Sequence, residues 1–227
     1  MGSFHIICTM MSILGKRFGD AGLRDLCIEA GIIAEGSINA VMDGHVYNRS
    51  IRVHKLVYEA LMRLAWKEFQ SWCNEQQHQA HVDSLMTKIA TLTADLCQTT
   101  FEQVMGSPSF HQVANLFSEF REHLRNDNGP LACFWSSYLE MVEIVLNLVR
   151  ASHEGNWQMH LVAIDDMIPW CFSYDRIKYA RYLSSYYAEM THLGEEHHNN
   201  LNFISFDVIY QTMISNDVNK SSSLYFS

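Results

Sequence analysis

Apolar side chains recur at intervals of three and four along nearly the whole chain, the period of a helix with one buried face. From Phe134 to Ser152 the face is Phe134, Tyr138, Met141, Val142, Val145, Leu148 and Val149, widened by Leu139, Ile144 and Leu146. Only Glu140, Glu143, Asn147 and Arg150 interrupt it. Their steps of three and four put them on one stripe. The pattern predicts a helix buried over most of its girth. The stripe must face water, a partner or a site, because carboxylates are rarely buried unless paired. Gly155-Asn156 should end this helix, since both tolerate left-handed backbone angles. Trp157, Leu161, Ile164, Met167 and Ile168 mark a second helix, which Pro169 should kink or end for want of a donor N–H. Asp175 is the expected N-cap of a third. That helix runs through Ile177, Tyr179, Tyr182, Leu183, Tyr186, Tyr187 and Met190 to Gly194.

The rest of the chain has the same period. Phe4 to Phe18 is helical in spacing, although Phe4-His5-Ile6-Ile7 also fits the end of a short strand. Gly19 to Gly22 breaks it, and short helices follow at Leu23 to Ala30 and Ser37 to Met42. Arg49 to Glu75 reads as one long helix whose core face holds Val53, Leu56, Val57, Ala60, Leu61, Leu64, Ala65 and Phe69. Gln76 to His81 is a polar turn. Val82 to Met105 reads as one further amphipathic helix. Ser107-Pro108 is a cap followed by proline at the first helical position, and it opens a helix to about Leu124. Arg125 to Pro130 is the strongest breaker in the chain. The fold class is therefore mainly α, an irregular multi-helix bundle of about seven to nine helices with room for one short strand near the N-terminus. Three regions are expected: an N-terminal helical region at 1–125, a central three-helix region at 131–194, and a polar, partly disordered tail at 195–227.

Composition narrows the function classes. The 227 residues are 48% hydrophobic, enough to bury a sizeable core. Only 18% are charged, with a net charge of −9, which disfavours nucleic-acid binding by the chain as a whole. Any anionic partner must use a local basic patch. The best one is on the long helix, where Arg49, Arg52, His54 and Lys55 cluster at the start and Arg63 and Lys67 continue the positive charge. Cations at a helix N-terminus oppose the dipole, so helix stability does not explain them. The six cysteines are scattered without a C-x-x-C, and buried reduced thiols are expected. His78 and His81 form an H-x-x-H, and His197-His198 a second pair. Neither has the matching partners of a zinc site, and no metal is assigned. The chain has no basic, apolar and small-residue sequence of a signal peptide and no myristoylation signal at Gly2. The expected setting is intracellular, cytoplasmic or nuclear, without a membrane and without a cofactor. Five tyrosines from Tyr174 to Tyr187 make a large amphipathic surface. Tyr179, Tyr182, Tyr186 and Tyr187 are its candidate partner-docking residues, with a core seam as the plainer reading.

Four blocks carry a family resemblance: MGSFHIICTMMSILGKRF, Asp43 to Arg49, Val53 to Leu56, and RASHEGNWQMHLVAIDDMIPWCFSYDRIKYARYL. Over roughly residues 1–193 the chain resembles a group of uncharacterised animal proteins that look transposon-derived, the C-terminal part of a degenerate RNase H-like transposase domain interrupted by helices. The resemblance implies that Met1 to His5 is the end of a core strand. It implies Glu140 or Glu143 as a late acidic ligand, with His5 flanking the site. Two-metal strand transfer needs carboxylates from several elements, and this chain holds no complete set. The expected function is thus a transposon-derived helical protein or fragment without catalytic activity of its own, an interaction module for an unknown protein partner. One alternative is a Mg²⁺-dependent nuclease or transposase subdomain that takes its missing acidic residues from outside this chain. Another is a plain helical scaffold that binds proteins through the tyrosines.

Overall fold

The computed structural model describes residues 2–92, 98–126 and 128–196. Within them the chain is mainly α. Helices run α1 (Ser3–Phe18), α2 (Arg24–Glu29), α3 (Ile38–Met42), α4 (Tyr47–Glu75), α5 (Gln79–Leu92), α6 (Gln98–Met105), α7 (Pro108–Asn126), α8 (Gly129–Glu154), α9 (Trp157–Ser173) and α10 (Ile177–Glu196). No strand occurs among the described residues. The segment Phe4 to Ile7 is the first turn of α1, as its helical spacing predicts, and the alternative of a strand end is not taken there. Ile6, Ile7, Met10, Met11, Ile13 and Leu14 are buried along α1. That burial needs a face of helical width, which a strand would have split between two sides. The single helix expected over Val82–Met105 is described as α5 and α6, with 93–97 outside the described residues. The expected tail from 197 onward lies outside them as well.

The chain divides into two units. One gathers the chain up to Leu56 and from Glu140 onward, and the other is Val57–Leu139. The divisions fall inside α4 and α8, two long helices, and not at the Arg125–Pro130 breaker. A turn signal marks where a helix ends. It does not report which helices share a core.

In the first unit, α9 and α10 form an antiparallel pair, α1 packs on α9, and α3 packs on α1. Its buried residues include Phe18, Leu23, Val41, Met42, Met141, Val142, Val145, Ile164, Met167 and Leu183. By length and composition alone α8 is apolar enough to cross a membrane. Met141, Val142, Ile144, Val145, Leu148 and Ala151 of that helix are buried in the core of the first unit. In the second unit, Phe69, Cys73, Val82, Leu85, Val113, Leu116 and Phe120 form the core of α4, α5 and α7. Phe69 holds its centre, edge-on to Phe117 at 5.1 Å and tilted against Phe120 at 5.5 Å.

The helix ends explain two departures from expectation. Pro169 does not end α9, which continues to Ser173. Proline removes only its own N–H, and the buried Met167 and Cys171 on either side hold the next turn in place. Asp175 is not the cap of α10. It has φ 56°, Arg176 N donates to Cys171 O at 2.8 Å, and Asp175 N donates to Phe172 O at 3.4 Å. That is a Schellman end to α9, with Asp175 in the left-handed position usually taken by glycine. Gln77 does the same after α4, with φ 62° and His78 N donating to Cys73 O at 2.7 Å. Glutamine there carries the left-handed penalty of an L-residue. Gln77→Gly should therefore stabilise the protein by about 0.5–1 kcal/mol, read as a higher midpoint in urea. The cap expected at Ser107 is present, accepting from Phe110 N at 3.3 Å. The start of α9 is capped by Asn156, whose Oδ1 accepts from Met159 N at 3.0 Å.

Candidate functional site

The basic residues of α4 do not share one environment. His54 is buried, only 1% exposed, so it is not part of a charged face. Burial pushes its imidazole down to about 4, and it is neutral at physiological pH. Arg63 is held by Glu59 one turn back, at 2.7 Å. Lys67 lies on the rim of an apolar groove described below. Lys55 is exposed. Arg49 and Arg52, one turn apart, line a pocket of about 260 Å³ together with Ile32, Ile33, Ala34, Ser37 and Val53. Ser50, between them, is fully buried and donates to Val41 O at 2.7 Å, which fixes the start of α4 against α3.

The first unit also holds a polar cleft of about 320 Å³, lined by His5, Cys8, Thr9, Ser12, Asp43, Gly44, His45, Arg176 and Tyr179. Three of the sequence blocks that carry the family resemblance meet here: the start of α1, the Asp43-Gly44-His45 turn, and the Asp175-to-Tyr179 segment. His5, Cys8 and Ser12 fall on one face of α1. Gly44 lets the turn run against them. A Cβ there would lie 2.6 Å from Cys8 O, and its φ of +73° also favours glycine. One turn further, a Cβ on Gly15 would lie 2.0 Å from Met42 O. The Arg176 guanidinium donates through Nη2 to Ser12 Oγ, joining the α9–α10 turn to α1. Cys8 is no nucleophile in this setting, because burial raises its thiol to about 11. Sequence reasoning missed Ser12, Asp43, His45 and Arg176. Nothing in the local pattern links them, since they are brought together by packing.

Glu140 and Glu143 are half-buried on α8. His5 is exposed in the polar cleft. No group of three or more His, Cys, Asp or Glu among the described residues is placed to hold a metal ion, so the structure does not bring these three together as a ligand set. The H-x-x-H pair is no closer to one: His81 Nε2 lies 3.2 Å from Gln112 Nε2.

Most of the tyrosines are committed inside the first unit. Tyr186 Oη lies 3.3 Å from His160 Nε2, and Tyr182 stacks on Tyr186 at 6.0 Å. Burial pushes the Tyr186 hydroxyl up to about 12 and His160 down to about 4. A neutral imidazole accepting from a phenol O–H suits both shifts. Tyr179 lines the polar cleft, and Tyr187 is half-buried. These contacts favour a seam between α9 and α10 over a free docking face.

The second unit carries an apolar groove of about 400 Å³ between α4, α7 and α8, lined by Leu61, Leu64, Ala65, Lys67, Glu68, Leu124, Ala132, Trp135, Ser136 and Leu139. The pattern in α4 predicts Leu64 as a core residue. It is 65% exposed. Lys67 and Glu68 stand at the groove without an ion pair among the described residues.

A family model described as "Domain of unknown function (DUF8702)" matches residues 1–212, and the chain belongs to that family. No curated protein and no solved structure matches the chain.

Proposed function

We propose that this member of the DUF8702 family is a helical interaction module without catalytic activity of its own, whose groove in Val57–Leu139 receives an amphipathic helix of a partner protein. One observation carries the reading. Leu64 stands 65% exposed inside an apolar groove, where its neighbours are Leu61, Trp135 and Leu139. A lone exposed leucine is ordinary. A leucine in a groove with an indole beside it is the surface that helix-in-groove recognition uses, with anchors at i, i+3 or i+4, and i+7. Covering the exposed 65% of Leu64 is worth about 1–2 kcal/mol. The unpaired Lys67 and Glu68 on the rim select a partner helix that carries both signs of charge beside its apolar stripe.

Descent from transposon-derived proteins belongs to the same proposal, and its support is the four sequence blocks.

The test is a selection of displayed helical peptides on the wild-type protein, counter-selected on Leu64→Glu. Amphipathic helices that bind wild type with micromolar affinity, and Leu64→Glu at least tenfold more weakly, are expected. Recovery of peptides that bind both proteins equally would overturn the groove as the docking site. A Leu64-dependent dimer in sedimentation would make a second copy of the chain the occupant instead.

A further inference from the structure

We infer that the pocket between the α2–α3 loop and the first turns of α4 binds a small ligand bearing an oxyanion, with Arg49 and Arg52 as its two cationic contacts. The inference is independent of the groove, which lies in the other unit.

Three observations meet in this pocket. First, Arg49 and Arg52 have no ion pair or hydrogen bond among the described residues. In a chain of net charge −9, both guanidiniums are left without a carboxylate among the described residues and stay open to an anion from outside the chain. Second, they sit near the start of a 29-residue helix, where the dipole already supplies positive potential. Each cation there opposes the dipole, and a bound anion would reverse the sign of that interaction. Third, the lining holds no carboxylate. Ser37 offers a hydroxyl. Ile32, Ile33, Ala34 and Val53 offer an apolar wall, with Val53 almost fully buried. A volume of about 260 Å³ is at the small end for ligand sites, enough for an oxyanion on a ring or a short chain.

The geometry also distinguishes this pocket from a general basic face. Arg63 is paired with Glu59, and Lys67 faces the groove. A long anionic polymer would need those residues as well. Two arginines one turn apart instead suit the multidentate recognition of one compact oxyanion, phosphate or carboxylate.

The experiment is calorimetric titration at low ionic strength with inorganic phosphate, phenyl phosphate and benzoate. The proteins are wild type, Arg49→Gln, Arg52→Gln, the double variant, and Arg63→Gln/Lys67→Gln as the control. Both arginines are exposed, so the variants should fold, and far-ultraviolet circular dichroism checks this. Phenyl phosphate is expected to bind more tightly than inorganic phosphate, because the ring gains the apolar wall. Each single arginine variant should weaken it about tenfold, the double variant should abolish it, and the control should leave it unchanged. Tighter binding of benzoate, with the same dependence on Arg49 and Arg52, would assign the pocket to carboxylates and still support it. Absence of binding to wild type at a ligand concentration of about ten times a millimolar Kd would overturn it. So would duplex DNA binding that falls as much in the control as in the double variant, since the ligand would then be a polymer read along α4.

Discussion

Replacing Gly15 by alanine should destabilise the protein by about 3 kcal/mol, the upper part of the range for overpacking a well-packed contact. In a chain of this size that corresponds to a fall in midpoint of roughly 6–12 °C. The sign is the informative part. Glycine inside a helix is worth about 1 kcal/mol less than alanine, so α1 by itself would gain from the change. The tertiary contact reverses this. The added Cβ would meet Met42 O at 2.0 Å and Met42 C at 2.6 Å, and a backbone cannot rotate away as a flexible side chain can. α1 and the end of α3 must separate, and the walls of the polar cleft separate with them. Gly36 is the control: a Cβ there meets nothing within 4 Å, so Gly36→Ala should be close to neutral. Thermal unfolding followed by tryptophan fluorescence compares the two variants. A Gly15→Ala protein as stable as wild type would mean that α1 does not approach α3 this closely.

Acid should destabilise the first unit well before its carboxylates protonate. His54 and His160 are both buried and both held near 4 by desolvation, against an ordinary value of 6.5. The folded protein keeps them neutral while the unfolded chain takes up a proton at each. Stability is therefore fully present above about pH 6.5 and is withdrawn as pH falls from there toward 4. At pH 5.5 each histidine accounts for about 1.4 kcal/mol and the two for about 3 kcal/mol, as an upper figure. Urea unfolding between pH 7.5 and 5 measures it. The slope of stability against pH should halve in His54→Gln and again in His160→Gln, whatever either substitution does to stability at pH 7.5. A slope unchanged in both variants would show that the imidazoles reach water in the folded state. The Tyr186 hydroxyl adds a check, because Tyr186→Phe removes a partner of His160 Nε2 without exposing the ring. The His160 share of the slope should persist in that variant, since burial is the cause of its shift.

Both predictions rest on residues whose importance the sequence did not announce. A helical period was legible almost everywhere because a one-sided hydrophobic face is a local property, written at i, i+3 and i+4. The same holds for the cap at Ser107 and for the breaks at Gly155 and Gly22, which follow from single-residue conformational preference, whereas Asn156, expected to end one helix, caps the start of the next. Where local reading failed, a competing interaction had won. Pro169 was carried through α9 by the packing of Met167 and Cys171. Asp175 was taken by the end of one helix before it could cap the next.

The candidate sites show the same limit. The cluster of cations on α4 was visible, and so was the opposition between Arg49, Arg52 and the helix dipole. Its partition was not: a buried histidine, a paired arginine, a groove lysine and two arginines in a pocket look alike in one dimension. The groove was not legible: Leu61 and Leu64 read as core positions, and only packing leaves Leu64 uncovered. The polar cleft was not legible at all, because Ser12, Asp43 and Arg176 meet only when three segments distant in sequence pack together. The sequence by itself determined that this chain is helical, where most helices start and stop, and which faces are apolar, since these depend on a residue and its near neighbours. Only the tertiary structure decided which apolar faces are covered, which charges are neutralised, and which distant residues share a cavity. Burial and pairing are properties of two surfaces in contact, and a single chain segment specifies only one of them.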